Sequence, residues 1–223
     1  MMVARSYDNL MTLPLFLGFS ATELSGVVGS TRFDFRKYGD GETIAAEGDA
    51  CDQLRFLLQG EMLVVSESND RAYRLEETLC APEMLQAERI FGLRQRFTKT
   101  FIAQGPCNML FLQKREVMRL CNEFELFRLN LFNIIATRAQ RDADKLWRIP
   151  SQTLERRIVD FIAMHCVYPA GRKVIYVKMS RLGEELNVGT RGISRALNKM
   201  REKGLLRLSR ERIEIYALEH LLM

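Results

Sequence analysis

The chain has 223 residues, 47% apolar and 27% charged, enough for a packed core in each of two domains, so disorder is excluded as the default. No run of about 18 uncharged apolar residues occurs, and the opening MMVARSYDNL carries Arg5 and Asp8 where a secretory segment needs an unbroken apolar stretch, so a cytoplasmic protein without a membrane span is expected. The net charge of +5 is unevenly placed: from Pro150 onward there are 14 Lys+Arg against 8 Asp+Glu, before it 19 against 20, so the basic part is the one expected to meet a polyanion.

In chain order, PLFLGFSATELSGVV (14–28) opens with Pro14, and Ser20 with Glu23 three positions on forms a capping box for a short helix. Between Thr31 and Leu112 come short apolar or alternating runs such as TRFDFRKY, LRFLLQGEMLVVSES and NMLFLQ, separated by Gly, Asp and Asn. Runs so spaced predict an antiparallel roll or jelly roll. From Lys114 to Trp147 there is neither Gly nor Pro, and Phe124, Phe127, Leu131, Ile134, Ile135 and Leu146 recur at helical spacing; a helix ending before Pro150 is expected. Its stripe of Phe127, Leu131, Ile134 and Ile135 packs either on the roll or against a second subunit, and a long helix after a complete small domain favours the second. Ser151 can cap a further helix, TLERRIVDFIAMHC, with His165 near its C-terminal end as a dipole partner. VIYV then reads as a strand.

The segment that follows carries the clearest chemistry. Ser180 can cap RLGEELN, Val188-Gly189 makes a turn, and TRGISRALNKMREKG forms a second helix stopped by Gly204. Ile193, Leu197 and Met200 make its buried stripe; Thr190, Arg191, Ser194, Arg195, Asn198 and Lys199 lie opposite. A helix so placed offers its N-terminal residues to base edges in the DNA major groove while the preceding helix crosses the backbone. A guanidinium donates two parallel hydrogen bonds to guanine O6 and N7, worth about 1–3 kcal/mol of discrimination, and the hydroxyls of Thr190, Ser194 and Ser180 suit phosphates. Gly192 costs about 1 kcal/mol in a helix interior; close approach to DNA would be a reason for it. LLRLS and RIEIY then alternate about a polar turn, a hairpin wing whose Arg207, Arg210 and Arg212 either touch phosphates or are simply solvated.

These residues resemble the Crp/Fnr family of transcription regulators over nearly the whole chain. PLFLGFSATEL is similar to its N-terminal helix. KYGDGETIAAEGDACDQLRFLLQGEMLVV is similar to its cyclic-nucleotide-binding-type roll, with Gly39, Gly41, Glu47, Gly48 and Gly60 at turns. LNVGTRGISRALNKMREKGLL is similar to its reading helix. The resemblance implies an α+β protein: a β-roll sensor domain over 1–122, a dimerisation helix over 123–148, and a winged helix-turn-helix over 149–223. It also implies double-stranded DNA, a second copy of the chain and RNA polymerase as partners. Two reading helices about 34 Å apart would meet a pseudo-palindromic operator.

Where relatives often have Ser-Arg-Glu at the start of the reading helix, this chain has Gly189-Thr190-Arg191, with the later arginine kept as Arg195. At the ligand site, nucleotide-binding relatives have Phe-Gly-Glu and then Arg-Ser/Thr-Ala-Thr. Here the stretch is CAPEMLQAERIFGLRQRFTKTFIAQ: Phe97 falls at the arginine position, Arg96 one residue away, Thr98 and Thr100 are kept, and Glu83 and Glu88 are the replacements for the ribose-binding Glu. A one-residue shift on a strand turns a side chain to the opposite face. The expected function is therefore a homodimeric DNA-binding regulator whose effector is unknown and is not cyclic AMP, with no fixed cofactor. The alternative is a regulator that uses the roll as a cyclic AMP or GMP receptor. The cysteines at 51, 80, 107, 121 and 166 are too dispersed for a metal or redox pair and are read as mostly buried thiols. With His165 and His220 the only histidines, metal-dependent enzyme chemistry on the roll has no ligand set, and neither a metal site nor a catalytic site is expected.

Overall fold

The computed structural model describes residues 10–146 and 151–222. The chain divides into one unit of Met1–Met62 with Leu79–Leu146 and a second of Leu63–Thr78 with Trp147–Met223. Trp147 and Pro150, where the long helix is expected to end, lie outside the described residues, as does the N-terminal stretch through residue 9.

In the first unit, Ser20 caps α1 (Ala21–Ser30) as its spacing predicts. Its hydroxyl accepts the Glu23 N–H at 3.3 Å, and the Glu23 carboxylate accepts the Ser20 N–H at 2.8 Å. The strands β1 (Asp34–Tyr38), β2 (Thr43–Ala45), β3 (Gln53–Glu67), β4 (Tyr73–Cys80), β5 (Glu83–Leu85) and β6 (Thr100–Gln113) follow in chain order, β3 leaving this unit after Met62 and β4 returning to it at Leu79. β6 is the spine: β1 pairs with it antiparallel, Asp34 opposite Phe111 and Tyr38 opposite Cys107, and β2 pairs further along at Thr43 and Ile102. β3 lies on its other side and takes β5, Leu57 opposite Glu83. Leu54 and Phe56, and further along Met62 and Val64, alternate into the core as expected of a strand with one inner face, whereas Phe56, Leu57 and Leu58 are buried in succession, so the strand is covered on both faces there. Gly60, expected at a turn, instead lies inside β3 with φ +99°, and a Cβ there would stand 2.5 Å from the Pro106 carbonyl oxygen. The neighbouring chain passes too close for any side chain, which is why glycine is needed.

Two helices close this unit, α2 (Lys114–Glu123) and α3 (Glu125–Leu146). The face of α3 expected to pair with a second subunit is already covered at Phe127 and Leu131. Phe127 and Leu131 are 0% and 1% exposed within the unit itself; the Phe127 ring lies 5.5 Å from Phe16, and Asn130 Nδ2 donates to the Leu15 and Leu17 carbonyls at 3.1 and 3.0 Å. Ile134 and Ile135 are half-buried. The opposite face carries Leu129 and Phe132, 47% and 57% exposed. α3 thus has two apolar stripes, and the more strongly apolar one packs on its own roll because the N-terminal segment around Phe16 supplies apolar surface and carbonyls there.

The second unit contains α4 (Leu154–His165), β7 (Lys173–Val177), α5 (Met179–Glu185), α6 (Thr190–Glu202), β8 (Leu206–Ser209), β9 (Arg212–Ile215) and α7 (Glu219–Leu222). Thr153, not Ser151, caps α4 by accepting the Arg156 N–H, and the Ser151 hydroxyl goes to the Asp160 carboxylate. The sheet runs β4-β7-β9-β8. Its core joins Ile158, Phe161 and Ile162 of α4 to Leu182, Ile193, Leu197, Ile175, Ile213 and, from β4, Leu75. Each such burial contributes about 1.5–3 kcal/mol. Among the described residues no helix is long and apolar enough to cross a membrane.

Candidate nucleic-acid interface and the roll interior

Gly183 sets the angle between α5 and α6. Its Cβ, if present, would stand 2.6 Å from the Val188 carbonyl oxygen, and its own carbonyl accepts the Val188 N–H at 2.8 Å. The chain therefore turns sharply after α5, and α6 starts at Thr190 on the Gly189 cap. Ile193, Ala196, Leu197 and Met200 are buried, which leaves Thr190, Arg191, Ser194, Arg195 and Lys199 on the exposed face. Arg191 and Arg195, four apart, are neighbours on that face. Among the described residues neither has an ion-pair or hydrogen-bond partner through its side chain.

The other predicted positions differ. Lys199 Nζ is 2.8 Å from the Glu155 carboxylate of α4 and holds that carboxyl below its ordinary range. Asn198 Nδ2 donates to the Ser194 carbonyl at 2.8 Å and reaches its hydroxyl at 3.4 Å. Ser180 is exposed but sits inside α5, whose cap is Lys178, so it caps nothing. Gly192 faces inward: a Cβ would stand 2.8 Å from Val188 Cγ1 and 3.6 Å from Leu154 Cδ2, so helix packing, not DNA, accounts for it. In the β8–β9 hairpin Arg210 is exposed at the turn and Arg207 on β8, whereas Arg212 and Arg172 both pair with Glu214, whose carboxyl is held low chiefly by the Arg172 bond.

In the roll, the predicted effector residues fall into separate sets. Arg138 of α3 draws two of them together: its Nη1 donates to Glu88 at 2.6 Å, and its Nη2 donates to the Met84 carbonyl at 2.9 Å and lies 3.6 Å from Glu83. Thr98 accepts from Gln86 Nε2 at 2.7 Å and donates its N–H to Gln86 Oε1 at 2.9 Å, a reciprocal pair on a buried Gln86. Arg96 Nη1 donates to the Gly48 carbonyl at 2.7 Å, and Thr100 accepts the Glu47 N–H at 3.1 Å. Phe97 is 1% exposed, and the Arg55 guanidinium stands over its ring at 4.7 Å while donating to the Ile44 carbonyl at 2.6 Å. Burial pushes the Cys51 thiol up to about 11, so it is no thiolate. Arg138, Gln86 and Arg55 were missed from sequence. Arg138 alone left a signal there, since it continues the 127-131-134 stripe by one more turn.

Residues 35–124 match the cyclic nucleotide-binding domain family. No curated protein sequence matches the chain. Among solved structures, the chain is similar to the sensor domain of the transcriptional regulator DNR from Pseudomonas aeruginosa, with TM-score 0.52, 17% identity, and 69% of this chain and 100% of that one covered. It is also similar to the Thermus thermophilus Catabolite Activator Protein, with TM-score 0.49, 17% identity, and 94% and 97% covered. A third is FixK2 from Bradyrhizobium japonicum, with TM-score 0.48, 12% identity, and 86% and 96% covered. At these identities the likeness is one of fold.

Proposed function

We propose that the chain is a non-catalytic, homodimeric transcription regulator that reads a pseudo-palindromic DNA site with α6 of each subunit, α5 and α6 acting as a helix-turn-helix and β8–β9 as its wing. The observation that carries this reading is the pair Arg191 and Arg195, exposed and without a side-chain partner among the described residues, on a helix whose opposite face is buried. A guanidinium with no bond to break can meet guanine O6 and N7 in a bidentate pair. Thr190, Ser180, Arg207 and Arg210 suit the phosphates around it. Self-association would use the Leu129–Phe132 stripe of α3, since Phe127 and Leu131 are already covered.

The contacts made by Arg138, Gln86 and Phe97 support a roll that needs no cyclic nucleotide. The test of DNA reading is selection of duplexes from a random pool by the wild-type protein, followed by binding of the selected and a scrambled duplex by Arg191→Ala, Arg195→Ala and the double variant. Each substitution is expected to reduce discrimination by about 1–3 kcal/mol, roughly five- to over a hundredfold, with the helical circular dichroism unchanged. Undiminished preference in the double variant would overturn the assignment.

A further inference from the structure

By chain order the far ends of β3 and β4 belong to the roll, yet Leu63–Thr78 is part of the second unit. Tyr73 to Glu77 pair antiparallel with Val177 to Lys173, Tyr73 opposite Val177 and Glu77 opposite Lys173. Leu75 is buried in the same core as Ile158 and Ile162 of α4. The Tyr73 ring lies 5.4 Å from Phe161, and its hydroxyl is 3.1 Å from His165 Nε2. His165 Nδ1 lies 2.7 Å from the Phe161 carbonyl, which can only accept, so Nδ1 donates there.

Next to this cluster the Glu77 carboxylate takes the Lys173 Nζ at 3.0 Å and the Val167 N–H at 2.7 Å, with the two charged side chains 0% and 2% exposed. A buried charge pair persists only where its geometry is well satisfied, so it selects one register for the hairpin. At the tip, Asp70 meets Arg181 of α5 at 3.0 Å, and Arg181 also pairs with Glu185 at 2.6 Å. On its other side β7 pairs with β9; without β4 it would present an open edge of unpaired N–H and C=O groups.

Building on the DNA reading proposed above, we propose that docking of the 68–78 hairpin on β7 is a regulatory contact. Docked, it completes the sheet and holds α5, the helix before the reading helix, through Asp70 and Arg181; released, it leaves that helix pair unsupported and DNA affinity falls. β3 and β4 are continuous strands from Gln53 and to Cys80, so a change in the roll acts on the docked end through the backbone itself.

The experiment uses full-length protein, the DNA duplex that the wild type selects, and hydrogen exchange. Glu77→Gln is expected to lower amide protection at 73–77 and 173–177 and to weaken DNA binding at least tenfold, with protection of β1 and β6 intact. The double variant Glu77→Leu/Lys173→Leu, an apolar pair in the same place, is expected to restore both. Asp70→Asn, at the exposed tip, is expected to weaken DNA binding a few-fold with an unchanged thermal midpoint. Full DNA affinity in Glu77→Gln, or lost affinity in the double variant despite restored protection, overturns the hairpin's role. So does full affinity in Asp70→Asn, the arm that remains if Glu77→Gln does not fold. Wild-type protein that selects no duplex overturns the DNA reading itself, and the hairpin's regulatory role with it.

Discussion

In the roll, Arg138 is held by Glu88, Glu83 and the Met84 carbonyl, and Arg55 by the Ile44 carbonyl beneath a phenyl ring. On α6, Arg191 and Arg195 stand in solvent with no intrachain partner among the described residues. A guanidinium already bonded to a carboxylate must give up that bond before it binds an incoming anion, whereas a solvated one exchanges only water and counterions, a gain that grows as salt falls. The same residue type is therefore a brace in one unit and a free donor in the other. The partner that distinguishes the two lies far off in sequence, Glu88 being 50 residues from Arg138.

The contrast is tested most severely on α3, where one helix carries both a committed and a free face. Phe127→Ala should destabilise the roll by about 3–5 kcal/mol in urea unfolding, because it opens a cavity beside Phe16. Phe132→Ala should leave stability within about 0.5 kcal/mol and weaken self-association in sedimentation equilibrium. Equal effects of the two on stability would mean that the faces are not distinct.

A smaller effect is expected at the brace. Arg138→Met leaves Glu83 and Glu88, both largely buried, without their cation, and should cost about 1–3 kcal/mol in the same assay, toward the low end because solvent still reaches the cluster. If the variant instead gains affinity for cyclic AMP or GMP by calorimetry, Arg138 is a plug rather than a brace.

The smallest effect belongs to Lys199, which is exposed but engaged. Its bond to Glu155 lowers that carboxyl from an ordinary value of 4.5. A lowered folded value means the pair stabilises above the unfolded value and stops doing so as pH falls through the folded one. Lys199 is more than half exposed, so the whole contribution should stay under about 1 kcal/mol. The difference in thermal midpoint between wild type and Lys199→Met should shrink as pH falls from about 6 to about 3; a difference that grows on acidification would remove Glu155 as its source.

Legibility from sequence follows the same division. The 3.6-residue period of TRGISRALNKMREK is enough to turn Ile193, Leu197 and Met200 inward and Arg191 and Arg195 outward, because a helix with a single apolar stripe has one way to bury it. On α3 the period is equally clear but not sufficient: two stripes recur, and periodicity says which residues share a face, not what that face meets. Gly60 and Gly192 show the same limit. Their presence was visible, but their reasons are a carbonyl of the neighbouring strand at Pro106 and a valine methyl from the preceding turn.

By itself, then, the order of residues determined the roll, the long helix, the helix pair with its terminal hairpin, and the exposed face of α6, since each follows from local period, capping and turn chemistry. Tertiary structure alone decided which charges are spoken for. Lys173 meets Glu77 across 96 residues and Arg181 meets Asp70 on the same hairpin, pairings that depend on strand β4 lying against β7 and so leave no trace in either local sequence. Short-range geometry repeats every few residues and can be read from them, whereas the partner of a buried charge is set by whichever distant segment the fold brings within about 3–4 Å.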